Sequence, residues 1–205
     1  MFELFERGGI MMYPLILSSL IALAYIIERA LALRKGKVLT PEITFMIENF
    51  SSLEDINKAR TVCEKHSGPL GRIVQLSLDN AHLPRNELRE LLEDQGRQEI
   101  RILERGLVAL ETIAAIAPLM GLLGTVLGMV RVFSVIREQG IGQMAALSGG
   151  ISEALLTTVT GLFIAIPVLI AYYYFSSKSE GLVLDIENNS NMLINKINRL
   201  NNKAE

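Results

Sequence analysis

APLMGLLGTVLGMVRVF, residues 117–133, decides how the rest of the chain must be read. It sits in a run from Thr112 to Val130, 19 residues without a charge, and two further runs resemble it: Ile10 to Ile27, with 18 residues, and Ala154 to Ser177, with 24. At about 1.5 Å of rise per residue, each run approaches or exceeds the roughly 30 Å hydrocarbon core of a bilayer. Composition agrees, with 50% hydrophobic residues, only 20% charged ones and a mean hydropathy of +0.34 over 205 residues. In lipid every backbone polar group must be paired within the segment, so the spans are helices. The expected fold is an all-α membrane protein with three transmembrane helices and long cytoplasmic helical extensions.

The predicted order is a short periplasmic N-terminus over 1–9, a first span over 10–33 and a helical cytoplasmic segment over 34–105. A second span over 106–133, a short periplasmic loop over 134–150, a third span over 151–177 and a cytoplasmic C-terminal helix over 178–205 complete it. Glu28 and Arg29 follow the first apolar run without a small-residue cleavage site, which reads as a retained anchor. Cationic loops stay inside. The segment 34–105 holds twelve Lys or Arg, and the tail adds Lys178, Lys196, Arg199 and Lys203, whereas only Arg7 precedes the first span. The N-terminus is therefore predicted outside and the C-terminus inside. Arg131, near the end of the second span, must snorkel or face a wet interior.

Several function classes lose support here. A net charge of −2 and a pI near 5.8 offer no basic surface to nucleic acid. The single Cys63 cannot form a disulfide within the chain and reads as a helix-packing thiol. No P-loop, H-E-x-x-H or nucleophile elbow occurs, and His66 and His82 stand apart in a polar segment, so neither an enzyme nor a metal or cofactor site is expected.

The cytoplasmic segment carries helix punctuation. Thr40-Pro41 supplies an N-cap and a proline at the first helical position, and Ser51 with Glu54 has the spacing of a capping box. Ser67-Gly68-Pro69 marks a break. Pro84 opens a stretch with no further proline until Pro118, which predicts one continuous helix of about 50 Å. In the tail Val183, Ile186, Ser190, Leu193, Ile197 and Leu200 step by three and four, the seam of a helix that packs on another helix, here on the projection of the second span.

The two later spans are unusual for their small and polar residues. Pro118, Gly121, Thr125 and Gly128 share one face, with Gly124 and Gly128 spaced as G-x-x-x-G, which lets helix backbones approach. Glu153, Thr157 and Thr160 fall within about 40° of one another on a helical wheel. Ala154, Thr158, Gly161 and Ala165 make a neighbouring stripe. A threonine in a span can simply bond the carbonyl three or four residues back. Glu153 asks for more, because a carboxylate in an apolar helix must face a cavity, find a partner or take a proton. Solvation at the mouth of the span is the bland alternative.

APLMGLLGTVLGM followed by GGISEALLTTVTGLFIAIP resembles the MotA/TolQ/ExbB proton-channel family, in its three-span ExbB and TolQ branch. The resemblance implies that Thr125 and Thr158 line a pore and that Glu153 is the intramembrane acid, with Pro118, Gly121, Gly128, Thr157 and Gly161 as further pore or packing positions. It implies a ring-forming homo-oligomer, commonly of five subunits, around an ExbD- or TolR-like single-span partner that carries an aspartate, and a TonB- or TolA-like transducer beyond it. The residues point the same way on the partner: Asp55, Asp79, Asp94 and Asp185 all lie outside the spans and Glu28 and Glu111 stand at span boundaries where solvation suffices, so if protons cross on a carboxylate relay this chain supplies only Glu153 and a second protein is expected to bring the other carboxylate. The expected function is an inner-membrane proton-channel or motor subunit that couples the proton motive force to work across the envelope. A non-conducting scaffold that recruits partners through its cytoplasmic helices is the alternative.

Overall fold

The structure is a computed structural model that describes residues 9–50, 55–66, 68–139 and 144–204. Among these residues every regular element is an α-helix: α1 (Met12–Ala32), α2 (Lys35–Val38), α3 (Pro41–Asn49), α4 (Asp55–Lys65), α5 (Pro69–Asp79), α6 (Arg85–Glu104), α7 (Leu107–Gln139) and α8 (Met144–Ala204). Three of them contain segments long and apolar enough to cross a membrane, Met12–Ala32, Leu107–Glu138 and Leu147–Asn201, with mean hydropathies of 1.8, 2.1 and 2.3. Only 17% to 28% of their most apolar windows is buried within the chain, so the remaining apolar surface requires lipid or protein around it. The chain is an all-α, multi-pass membrane protein.

Two expectations need correction. The helix predicted to run unbroken from Pro84 towards Pro118 stops at Glu104 and restarts at Leu107. Gly106 lies between, at φ 86, a left-handed conformation that a glycine adopts freely and other L-residues avoid. The loop predicted over 134–150 carries helix at both ends, since 134–139 belong to α7 and 144–150 to α8, and 140–143 lie outside the described residues. The third span and the tail form one helix of 61 residues, because nothing between Tyr174 and Lys178 breaks it.

The chain divides into two compact units. The first comprises residues 9–28 and 106–174, and its centre is built on Leu15, Ala117 and Ala165, with Met120 and Ile164 packed against them. Leu17, Leu20, Leu23 and Ile27 on α1 remain exposed, which suits a lipid-facing helix.

The second unit comprises residues 29–105 and 175–204. Thr40 occupies the N-cap position of α3 and Pro41 its first turn, as the sequence indicates, although the Thr40 hydroxyl makes no capping bond. The Ser51–Glu54 capping box lies outside the described residues. Gly68 and Pro69 start α5. Helix ends are closed by long side chains: the buried Arg29 donates to the carbonyls of Leu103 at 2.9 Å and Ile102 at 3.3 Å, and Lys196 donates to Ile47 O at 2.9 Å and to Glu48 O. Both place a cation on the last carbonyls of a helix, where it is favoured. The tail's seam is inside, with Ile186, Ser190, Leu193 and Ile197 buried. Facing residues Leu92, Gly96 and Ile100 of α6 line a cavity of about 370 Å³ together with Val183, Ile186 and Ser190, so the tail does lie along the helix that precedes the second span. Glu99, also buried, is held by Arg72 Nε at 2.7 Å and Gln95 Nε2 at 2.8 Å, and that bond to Glu99 raises the Arg72 pKa further.

Cys63 is buried on α4, and desolvation, aided by the charge of Asp79, pushes its thiol up to about 11. At neutral pH a maleimide is expected to label it at least about 100-fold more slowly in the folded chain than after denaturation, since the thiolate is the reactive form. Mass spectrometry of timed samples checks this. The sign for stability follows: an unfolded chain releases this proton near 9 and the folded one near 11, so the contribution of Cys63 to stability falls as pH rises through that window.

Candidate functional site

The site is built where α7 and α8 lie against each other in the first unit. Their approach is set by residues without bulk. A Cβ on Gly121 would lie 2.9 Å from the carbonyl oxygen of Thr157 and 3.1 Å from the Thr158 Cα, and one on Gly161 would lie 2.6 Å from the carbonyl oxygen of Ala117. Gly128 faces Ala154 in the same way, and Gly124 makes the notch that seats the Thr157 side chain. In lipid, where apolar surface gains nothing by leaving apolar surroundings, such close packing is what joins helices.

The close approach brings Thr125 and Thr158 together. Thr125 Oγ1 on α7 donates to Ala154 O on α8 at 3.0 Å, while Thr158 Oγ1 on α8 donates to Gly121 O on α7 at 3.2 Å, and the two hydroxyls also meet each other. Each threonine thus reaches across to the other helix's backbone. Both are only half-buried, and a hydroxyl with its proton committed still has lone-pair capacity for a water or a partner's donor. Thr157 is different: it is buried and bonds its own helix at Ala154 O, 2.8 Å away, so its role here is packing. Thr160 likewise bonds Leu156 O on its own helix. Pro118, within α7, is half-buried, one turn from Gly121.

Glu153 stands one residue before the Ala154 that accepts from Thr125. Its carboxylate receives Arg131 Nη1 at 2.9 Å on Oε1 and 2.7 Å on Oε2. The glutamate side chain is 20% exposed and the arginine 62%. In the sequence Arg131 is a charge in need of water and Glu153 an acid in need of a partner, and the structure joins the two. The signal was available in their opposite charges and in their places, eight residues before the end of α7 and nine after the start of α8. Gly9, with φ 65, is a second neighbour that the sequence gave no reason to expect: a Cβ there would fall 1.8 Å from Glu153 Oε1.

The molecule is thus a helical membrane protein whose second and third spans are joined through small residues, with a pair of hydroxyls between them and an acid beside the pair. The chain belongs to the MotA/TolQ/ExbB proton channel family, whose model matches residues 65–188. It is 34% identical to a Synechocystis protein named ExbB-like 1 over 173 residues, 82% of this chain and 67% of that protein. It is 29% identical to an ExbB homolog of Methanothermobacter thermautotrophicus over 187 residues, 90% of this chain and 66% of the relative. Against the biopolymer transport protein ExbB of Neisseria meningitidis serogroup A the identity is 29% over 188 residues, 84% of each chain. The chain thus spans about two thirds of the length of the first two relatives and more of the third.

Proposed function

We propose that this chain is a channel subunit of an energy-coupling complex in the inner membrane, with its N-terminus periplasmic and its C-terminus cytoplasmic, and that it performs no enzymatic chemistry. Identical subunits, five in the ring, surround a single-span partner of the ExbD or TolR type whose aspartate completes the proton relay. Protons crossing the ring drive motion of that partner and, through a TonB- or TolA-like transducer, work across the envelope such as outer-membrane transport. One observation supports the reading: Thr125 and Thr158 meet from two different helices, and Glu153 stands one residue from the Ala154 whose carbonyl Thr125 reaches. A charge moved through 100 mV releases about 2.3 kcal/mol, so the chain needs a guided path and a coupled partner more than a reactive group.

The reading is tested in vesicles loaded with a pH-sensitive dye. The chain alone is expected to pass few protons under an imposed potential, and co-reconstitution with an ExbD-type partner is expected to raise the flux at least about tenfold, because only then are two carboxylates present in the path. Equal flux with and without the partner rejects the two-component mechanism. Absence of flux in both, with the complex intact by native mass spectrometry, favours the scaffold.

A further inference from the structure

Glu153 is not left open in this chain. Two elements converge on its carboxylate from different sides of the sequence: Arg131 on α7 donates to both oxygens, and the backbone at Gly9, just before α1, lies so close that no side chain fits between. The φ of 65 at Gly9 is one that a residue with a side chain adopts with strain, so glycine serves there both by conformation and by leaving room. An arginine on a membrane-spanning helix also has a blander role in such a pair, namely to neutralise itself at the edge of the bilayer. The geometry favours more than that, because the pair sits one residue from the Thr125 acceptor Ala154 and the glutamate is the more enclosed of the two partners.

We propose that Arg131 and Gly9 form a latch over Glu153, in which Arg131 is a positioning residue that holds the carboxylate as an ion pair and Gly9 closes the approach beside it, so that the acid exchanges a proton only when Arg131 moves away. This rests on the reading of Glu153 as the acid of the path. A carboxylate bonded to a guanidinium has its lone pairs occupied, and those bonds must break before another group reaches its oxygens. Release therefore requires a competing anion for Arg131, and the carboxylate of the single-span partner has the right charge.

The test is the rate at which dicyclohexylcarbodiimide, which attacks protonated carboxyls in apolar surroundings, modifies Glu153 in the full chain, read by mass spectrometry against Glu111 as an exposed internal reference. In the resting wild-type protein Glu153 is expected to react slowly. Arg131→Gln removes the charge and should raise the rate about two- to fivefold, the range for loss of a partly exposed ion pair. Arg131→Lys should stay close to wild type, and Gly9→Ala, which pushes the carboxylate off its partner while leaving Arg131 in place, should react nearly as fast as Arg131→Gln. A wild-type rate in Arg131→Gln, or equal rates in the Lys and Gln variants, overturns the latch, and a wild-type rate in Gly9→Ala removes the glycine from it. Labelling measures access to Glu153 and needs no flux, so the latch and the channel reading can fail separately.

Discussion

Glu153→Ala is expected to lower proton flux through vesicles that hold the chain and its single-span partner by about 100-fold, the scale on which a positioned acid or base contributes to proton transfer. The substitution removes the acid and leaves Arg131 without the carboxylate that now accepts from it. Glu153→Gln separates two roles: it keeps the shape and some hydrogen bonding but cannot exchange a proton, so flux should vanish as completely as with alanine. Glu153→Asp keeps the acid and withdraws it by one methylene, and an intermediate flux is expected. Full activity of the Gln variant would show that a hydrogen bond suffices, and full activity of the Ala variant would remove Glu153 from the path. Dye-monitored flux in matched vesicles, with complex content checked by native mass spectrometry, distinguishes these results.

Gly161→Leu should have the largest structural effect of any single change in the spans. A Cβ at this position would already lie 2.6 Å from the carbonyl oxygen of Ala117 and 3.1 Å from the Cα of Gly121, and backbone atoms cannot rotate aside as a side chain can. The two helices would have to separate, and the bonds from Thr125 to Ala154 and from Thr158 to Gly121 would break with them. Overpacking of this kind costs about 1–3 kcal/mol, and loss of the cross-helix bonds adds to it. In detergent this should appear as a fall of about 5–10 °C in Tm, together with loss of flux. Gly181→Leu is the control, since a Cβ there meets open space. If both variants melt with the wild type, the glycine stripe does not hold α7 to α8.

The amino-acid sequence by itself determined the membrane class, because uncharged runs of 18 or more residues have few places to be other than a bilayer. It also determined the faces: Gly121, Gly128 and Gly161 are buried as their 3.6-residue spacing requires, and the tail's seam of Ile186, Leu193 and Ile197 is inside. Family membership was legible for the same reason, since the small-residue stripe with its threonines and its acid is a local pattern.

Tertiary structure alone decided what those residues touch. That Thr125 bonds Ala154 rather than only the Gly121 of its own helix depends on the depth to which α7 sinks onto α8, a distance that no periodicity encodes. The ion pair of Arg131 with Glu153 depends on the register of α7 against α8, and the approach of Gly9 on the path of a segment distant in sequence. The break at Gly106 belongs to the same group. A glycine inside a helical run costs only about 1 kcal/mol, so whether it stays helical or turns to φ 86 is settled by the packing on either side and not by the residue itself.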